Sequence, residues 1–320
     1  MSQTAQVPLV SVIMPVYNAE RYVAEAIESI LSQTYTNLEL IVLDDNSTDN
    51  SISIINRFQD ERIKLIKIEK NGGIAATLNR GLAASKGKYI ARMDADDIAL
   101  PHRLMTQIQF LEDHPAVDFI GSCATVIDED GKKIGREIGI PASFEYHRLL
   151  LLFVCKIIHP SILFRSKIME KVEYKLGLGA SEDYELWTRL FKKHRFHHLS
   201  ASLLLYRIHT NNSVKQLKSQ AHKSIENTVS HHFNSIGIDY TKEDFEVHRL
   251  LFFFHKIDLE IKDIIAIEDW LVKIQFKLLE VKNIDTALLA VVLDDLFYKT
   301  CLRVKGKGLR ILQILSLIHI

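Results

Sequence analysis

The sequence predicts an α/β protein, a mostly parallel central sheet flanked by helices over residues 1–213, followed by a C-terminal helical extension over 214–320. Three observations carry that expectation. Apolar runs of strand length alternate with segments of helical periodicity through the first 120 residues, which is the pattern of βαβ units. Each of the first four runs ends in a polar loop rich in Asp, Asn or Gly, and beyond Val214 the pattern is helical with no motif of chemical character.

The elements follow in order. LVSVIMPV (Leu9 to Val16) reads as a strand, and Tyr22, Val23, Ala26, Ile27, Ile30 and Leu31 then recur at helical spacing. LELIVLDD (Leu38 to Asp45) is a second strand, with a short helix over Ser51 to Phe58. IKLIKI (Ile63 to Ile68) is a third, followed by a helix over Ile74 to Ala84 and the strand YIARM (Tyr89 to Met93). In such sheets ligands bind beyond the carboxyl ends of the strands. Those ends carry PVYNAE (Pro15 to Glu20), DDNSTD (Asp44 to Asp49), NGG (Asn71 to Gly73) and DADD (Asp94 to Asp97), so four polar loops on one rim are expected to make one site.

Further on, VDFIGSCATVIDEDGKKIG reads as strands around an Asp130–Gly131 turn, Phe144 to Val154 as a helix, and HPSILFR (His159 to Arg165) as a strand. SEDYELWTRLFKK (Ser181 to Lys193) opens on a good N-cap residue and sets Leu186, Leu190 and Phe191 on one face, so it is a helix. ASLLLYRIHTNNS (Ala201 to Ser213) is a strand running into a polar loop, and the domain boundary is placed after it.

Composition narrows the function. A chain of 320 residues with 47% hydrophobic and 25% charged residues can bury a sizeable core. Forty basic and forty acidic residues give a net charge of zero, which argues against a nucleic-acid partner. Cys123, Cys155 and Cys301 are far apart with no C-x-x-C pair, which argues against a disulfide framework or a thiolate zinc site and for a reducing, cytoplasmic compartment. Residues 1 to 8 lack the charged start and apolar core of a secretory signal. No apolar run reaches the roughly 18 residues of a spanning helix. The expectation is a soluble protein, or one peripheral on the cytoplasmic membrane face.

Asp94, Asp96 and Asp97 gather three negative charges at the end of an apolar strand, where they destabilise one another unless a cation or donors hold them. A D-x-D at a strand end suits Mn²⁺ or Mg²⁺, which prefer carboxylate oxygens together with substrate phosphates. The alternative is a solvated loop whose aspartates cap the helix opening near Pro101. Glu182 and Asp183 likewise suit a general base, or simply favour the dipole of a first helical turn. Trp187 on the same helix is open to core packing or to stacking on a sugar. His194, His197 and His198 crowd KKHRFHHL at a spacing that matches no metal pattern, and a solvated helix end is expected there.

PVYNAERYVAEAIESILSQTY, LELIVLDDNSTDNS, NGGIAATLNRGLAASKGKYIARMDADDIALPHRL and SEDYELWTRL occur in this order. Together they resemble the family 2 glycosyltransferases of the nucleotide-diphospho-sugar transferase (GT-A) fold, over residues 8 to 213. YRIHTNNS and HPSILFR are also similar to family features. The resemblance implies that Pro15, Tyr17 and Glu20 contact the nucleotide, that Asp45 with Asp44 beside it accepts from the base, and that the chain approaches the nucleotide at Asn71 and Gly73. Many relatives carry an arginine beside this last position, and here that residue is Lys70. Asp94 and Asp96 match the D-x-D that holds ribose and the diphosphate metal, Asp97 extends it, and His209 is implied as a third metal ligand or a lid residue, with a surface or packing histidine as the alternative. Asp183, after Glu182, matches the catalytic base.

The implied activity is metal-dependent, inverting transfer of a sugar, UDP-linked by preference, from a nucleotide-diphosphate donor to a saccharide or lipid-linked acceptor, in surface polysaccharide or glycan synthesis. A sugar-phosphate nucleotidyltransferase would share the layout and the metal, but needs a glycine-rich, arginine-containing loop where this chain has PVYNAERY. A non-catalytic nucleotide-sugar-binding scaffold is countered by the intact Asp94, Asp96 and Asp183. No G-x-G-x-x-G follows the first strand, which counts against a dinucleotide-dependent oxidoreductase.

The last third, with HRLLFFFHKIDLEI, reads as packing against the catalytic domain or another subunit, so a homo-oligomer is one expectation for it. After Asp295 there are no acids, while Lys299, Arg303, Lys305, Lys307 and Arg310 precede ILQILSLIHI. A basic stretch beside an apolar one suits an anionic membrane surface, and a final helix docked on the protein is the alternative.

Overall fold

The computed structural model describes residues 7–179, 181–209, 218–252 and 259–302. The predicted boundary at Ser213, the loop Thr210 to Ser213 and the basic, apolar stretch from Arg303 onward lie outside the described residues. The chain forms two compact units, one of residues 1–144 and 156–221, the other of 145–155 and 222–320.

The strands are β1 Val10–Val16, β2 Leu38–Asp44, β3 Ile63–Lys67, β4 Tyr89–Arg92, β5 Ile98–Ala99, β6 Phe119–Ile127, β7 Lys133–Ile138, β8 Leu163–Arg165 and β9 Phe196–Arg207. The helices are α1 Val23–Leu31, α2 Ser51–Ile55, α3 Ile74–Ala84, α4 Arg103–Asp113, α5 Phe144–Leu150, α6 Ser166–Met169, α7 Glu182–Leu190, α8 Lys218–Ser235, α9 Lys242–Phe252, α10 Ile261–Leu279 and α11 Thr286–Cys301.

All the strands belong to one sheet in the order β3-β2-β1-β4-β8-β6-β9-β5, with β7 on β6. β1 is central and every one of its residues is buried, because helices cover both faces of the sheet. On one face Val10, Val12, Met14 and Val16 join Ala26, Ile27 and Ile30 of α1 and Leu104 and Ile108 of α4 in the main core. On the other, α3 comes so close that a Cβ on Gly81 would stand 2.4 Å from Ile13 Cγ2, so glycine is what lets this helix seat. Each buried aliphatic side chain here contributes about 1.5–3 kcal/mol. Pro15 has no N–H to give, and it lies beyond the β4 ladder, which stops at Ile13↔Arg92.

The direction of the strands fixes where the site falls. β1 pairs parallel with β2 and β4, and β2 with β3. β8 runs antiparallel to β4 and β6 antiparallel to β8, so the two reversals cancel, and β9 is parallel to β6. The carboxyl ends of β1, β2, β3, β4, β6 and β9 therefore reach one rim.

Several expectations need correction. His197 and His198 are not on a solvated helix end but on β9, where β6 supplies the backbone partners. His197 stacks on Phe110 at 4.3 Å, and His198 is buried. The predicted strand from His159 begins as a 3-10 turn, His159–Ser161, because Pro160 disfavours the ladder, and only Leu163–Arg165 pair. The helix from Ser51 stops at Ile55, and that from Phe144 at Leu150. The two-residue β5 has no counterpart in the sequence reading.

The second unit is helical and built around aromatic rings. Phe153 meets Phe233 at 6.2 Å and Trp270 at 6.0 Å, and His248 lies 4.5 Å from Trp270. His248 is fully buried, its Nε2 2.7 Å from the Phe153 carbonyl and its Nδ1 2.6 Å from the Tyr240 hydroxyl, and burial holds its pKa at about 3. Part of the apolar Phe-rich stretch thus packs within this unit, and Phe253 to Asp258 lie outside the described residues. Among the described residues no helix is long and apolar enough to cross a membrane.

Candidate active site

The first two rim loops are laced together before any ligand is considered. Asn18, in a left-handed conformation, receives the Thr48 N–H on its Oδ1 at 2.8 Å, while its own N–H goes to Ser47 Oγ at 3.0 Å. The Ala19 N–H reaches Ser51 Oγ and the Glu20 N–H reaches Asp49 Oδ2, both at 2.9 Å. Glu20 Oε2 accepts from the Asn50 N–H at 2.9 Å and from Asn50 Nδ2 at 2.8 Å. Glu20, assigned to the nucleotide by resemblance, is thus engaged in joining the loops, whereas the Tyr17 ring is exposed.

Asp45 is buried, and its two oxygens accept the N–H groups of Gly72 and Gly73, each at 2.9 Å. Asn71 Nδ2 adds a bond to the Asp45 carbonyl at 3.2 Å. Gly73 has φ +78°, which a side chain rarely adopts, so glycine fits the turn that Asp45 caps. Each Asp45 oxygen retains a second lone pair for a ligand. Asp44, also buried, accepts from the Ser47 N–H at 3.1 Å on Oδ2, and its Oδ1 has no protein donor.

The D-x-D residues do converge. Asp94, Asp96 and Asp97 each bring a carboxylate oxygen within 4.8 Å of the others. Asp94 pairs with the Arg92 guanidinium. Asp96 Oδ2 lies 2.8 Å from His209 Nε2. Asp97 Oδ1 accepts the Arg207 N–H at 2.8 Å, while its buried Oδ2 has no protein partner. Burial, then the charges of Asp94 and Asp96, push the Asp97 carboxyl well above the ordinary range, and burial raises Asp94 against the pull of Arg92. Three hard oxygen donors with an orphaned buried oxygen fit a divalent cation such as Mn²⁺ or Mg²⁺.

Arg207, which the sequence reading did not single out, frames this cluster. Its Nε donates to the Asp96 carbonyl at 2.7 Å, and its Nη1 to the carbonyls of Asp128 and Glu129, both at 3.2 Å. The guanidinium also pairs with Glu25 and lies 4.7 Å from the Tyr22 ring centre, and the His209 ring lies 5.0 Å from the same ring. The end of β9, the loop after β6 and the first turn of α1 thereby set the position of Asp96, Asp97 and His209.

Glu182 and Asp183 open α7 over the same rim. Glu182 is buried and its Oε2 has no protein partner. Burial, then the charge of Asp183, push Glu182 up to about 8. Burial pushes Asp183 to about 6, opposed by the Tyr184 N–H and the charge of Arg92. Asp183 Oδ1 accepts that N–H at 2.7 Å. Burial thus raises both carboxyls above their ordinary range, Glu182 the further of the two. Trp187, on the same helix, is fully buried against Phe119 and Phe164, so of its two readings core packing is the observed one. Arg92, buried on β4, was also missed; its only sequence signal is a lone cation inside the apolar run YIARM.

Comparison with known proteins agrees with this geometry. The family described as Glycosyl transferase family 2 matches residues 11–172. An uncharacterized glycosyltransferase of Methanocaldococcus jannaschii, MJ1057, is 38% identical over 221 residues, covering 67% of this chain and 76% of that protein. The O-antigen biosynthesis glycosyltransferase WbnJ of Escherichia coli is 32% identical over 215 residues, 65% of this chain and 82% of WbnJ. Among solved structures, S. aureus TarS 1–349 in complex with UDP-GlcNAc superposes with a TM-score of 0.61 at 18% identity, over 92% of this chain and 86% of that one. The mannosyltransferase PcManGT of Pyrobaculum calidifontis, in complex with GDP-Man and Mn²⁺, gives 0.55 at 17% identity, over 95% and 88%. At such identity the likeness to the solved structures is one of fold, and that fold is GT-A. With a family match that spans the rim loops and the D-x-D turn they lead to, this chain belongs to glycosyl transferase family 2.

Proposed function

We propose that this glycosyltransferase is metal-dependent and inverting, and moves a sugar from a nucleotide-diphosphate donor, UDP-linked by preference, to a saccharide or lipid-linked acceptor in surface polysaccharide synthesis. The observation that carries the reading is the convergence of Asp94, Asp96 and Asp97 within 4.8 Å of one another, with a buried oxygen of Asp97 unmatched. A second buried acid pair, Glu182 and Asp183, is raised by burial above the ordinary carboxyl range.

In this reading Asp94, Asp96 and Asp97, with His209 against Asp96, would hold Mn²⁺ or Mg²⁺, and its positive charge would offset the charge gathered on the leaving diphosphate. The loops at Pro15–Glu20, Asp44–Asp45 and Asn71–Gly73 take the nucleotide, with the exposed Tyr17 ring free to pack on the base. Asp183 accepts the proton of the acceptor hydroxyl as that oxygen attacks the anomeric carbon. The bond to the diphosphate breaks, the diphosphate departs with the bonding pair, and the anomeric configuration inverts. Support for a nucleotide-sugar donor comes from the UDP-GlcNAc and GDP-Man complexes of the two fold neighbours, and for surface polysaccharide from the O-antigen role in WbnJ's name.

The test is Asp183→Asn. Transfer should fall by at least about a hundredfold, the usual weight of a general base, while the thermal shift produced by UDP with Mn²⁺ stays at the wild-type value and vanishes in chelator. Ordinary turnover by the variant sinks the assignment of the base. Absence of any shift with UDP or GDP and either metal moves the protein to the scaffold reading.

A further inference from the structure

α10 is apolar on two opposite sides. Ile264, Ile267, Trp270, Leu271, Ile274 and Leu278 are buried within the second unit, where α10 packs against α9 and α11. On the other side Ile261, Ile265, Val272, Phe276 and Leu279 are all exposed, Ile265 by 51% and Phe276 by 67%. At 3.6 residues per turn these five fall within about 60° of the helix surface, and at 1.5 Å per residue the stripe runs roughly 27 Å. A helix that is apolar all round is ordinarily one that is covered all round. Among the described residues nothing covers this side.

We propose that the outer face of α10 is the contact of a two-fold homodimer, in which two copies of this helix pack antiparallel about an axis level with Leu271. The charges beside the stripe carry the choice of partner. Along one edge, within about 40° of one another, stand Lys262, Asp269, Lys273 and Glu280. In an antiparallel pair related by a two-fold axis, the same edge of each copy faces the other. Lys262 then stands opposite Glu280 of the second copy, and Asp269 opposite its Lys273. On the other edge Glu268 stands opposite the amide of Gln275. Between the edges Ile265 meets Phe276 and Leu279 of the second copy, Ile261 meets Leu279, and Val272 meets its own counterpart beside the axis. Sliding one copy by about two turns sets Lys262 against Lys273 in one direction and Asp269 against Glu280 in the other. The charges therefore favour this register and oppose its neighbours.

The bonds these charges make within the chain leave them within reach of a second copy. Lys262 pairs with Glu260 at 2.8 Å, and both side chains are more than two-thirds exposed. Lys273 reaches the buried Asp244 at 2.5 Å while half its own side chain stays exposed, and an ammonium has three donors to share. The same charges argue against a lipid surface as the cover. Two lysines against Asp269, Glu280 and Glu268 leave no excess of positive charge, whereas a helix lying on an anionic bilayer carries Lys or Arg along its polar edge. The dimer is independent of the reading of the active site, since none of these residues belongs to the rim.

The experiment is sedimentation equilibrium of the full chain through the micromolar range. Wild type should be a monomer–dimer system. Phe276→Lys, at an exposed position, should keep the thermal midpoint and raise the dissociation constant by at least about thirtyfold, and Ile265→Lys repeats the reading at a second position. K262E and E280K should each weaken the dimer about tenfold, since each replaces two attractions by two repulsions, and the double variant K262E/E280K should return to within about threefold of wild type. Val272→Cys should form a disulfide-linked dimer when oxidised with copper phenanthroline, whereas Ile261→Cys, far from the axis, should not. A wild type that stays monomeric overturns the proposal, whether this face then takes anionic vesicles or residues 303–320 of its own chain. A dimer that Phe276→Lys and Ile265→Lys both leave intact, or a double charge variant as weak as the singles, overturns it as well.

Discussion

Replacing Glu182 by Gln probes the electrostatics of the base pair without touching the base. Glu182 is 7% exposed, its Oε2 has no protein partner, and burial followed by the charge of Asp183 carries its pKa from 4.5 to about 8. A carboxyl whose folded pKa lies above its unfolded value favours the fold while both states are protonated. That contribution is complete below pH 4.5 and is lost as the pH rises toward 8. At pH 7 the native protein keeps the proton and the unfolded chain has lost it. At about 1.4 kcal/mol per pH unit, the interval from 4.5 to 7 removes about 3 kcal/mol of stability. Gln reproduces the protonated carboxyl in shape and donor capacity but never titrates, so the variant escapes that loss. Thermal unfolding of both proteins in chelator should give similar midpoints at pH 5 and a variant higher by roughly 6–12 °C at pH 7, using about 2–4 °C per kcal/mol for a domain of this size. Transfer should survive in the variant at neutral pH, since the wild-type side chain is already neutral there. Midpoints that run parallel across the pH range, or a variant less stable at pH 7, would refute the reasoning, for Glu182 would then not be a buried acid carrying a raised pKa.

Two more substitutions address the donor side of the rim. Asp97→Asn should leave the midpoint in chelator unchanged or higher, because a buried carboxyl raised by its like-charged neighbours is relieved, while the thermal shift produced by UDP with Mn²⁺ shrinks; differential scanning fluorimetry with and without chelator reads both. Asp45→Ala removes the acceptor of the Gly72 and Gly73 N–H groups and should cost about 3–6 kcal/mol at 1.5–3 kcal/mol for each charged hydrogen bond, together with most of the nucleotide affinity, whereas Asp45→Asn, which keeps one acceptor oxygen, should lose less of each in urea unfolding and nucleotide titration.

Much of the first unit was legible because its strands are buried on both faces. An all-apolar run such as VSVIMPV announces itself without alternation, and the helix over Ile74–Ala84 was placed with its observed bounds because its apolar spacing is regular and it follows a glycine turn. The rim site was legible for a related reason. Parallel pairing sends successive carboxyl ends to one edge, so acidic loops far apart in sequence had to become neighbours once β1 to β4 were recognised. The strand start at Phe196 was not legible, since FHHLSA has no apolar alternation and owes its extended form to the hydrogen bonds that β6 offers it. This is tertiary structure overriding local preference.

The arginines of the site were missed for a different reason, which bears on what the site is. Asp94 could be read from its neighbours in the chain, but the pairing of Arg92 with it shows only in the fold, and the meaning of Arg207 lies in Asp96, Asp97 and Glu25. A motif lists the groups that meet the ligand. The cations that make those groups bearable when no ligand is present are scattered, because any buried guanidinium on a neighbouring strand or loop can serve. Three carboxylates within 4.8 Å of one another and a second buried acid pair would push each other toward protonation if they faced only apolar surface. Arg92 and Arg207 meet that repulsion in part and by different means, Arg92 with its charge and Arg207 chiefly with directed hydrogen bonds to the backbone and carboxylate of the D-x-D turn. Asp97 Oδ2 and Glu182 Oε2 are left unmatched. Asp44 Oδ1 on the second rim loop is a third, so the compensation stops in the cluster suited to a cation, beside the proposed base and on a loop proposed to take the nucleotide, where a group still able to bind or to hold a proton is wanted.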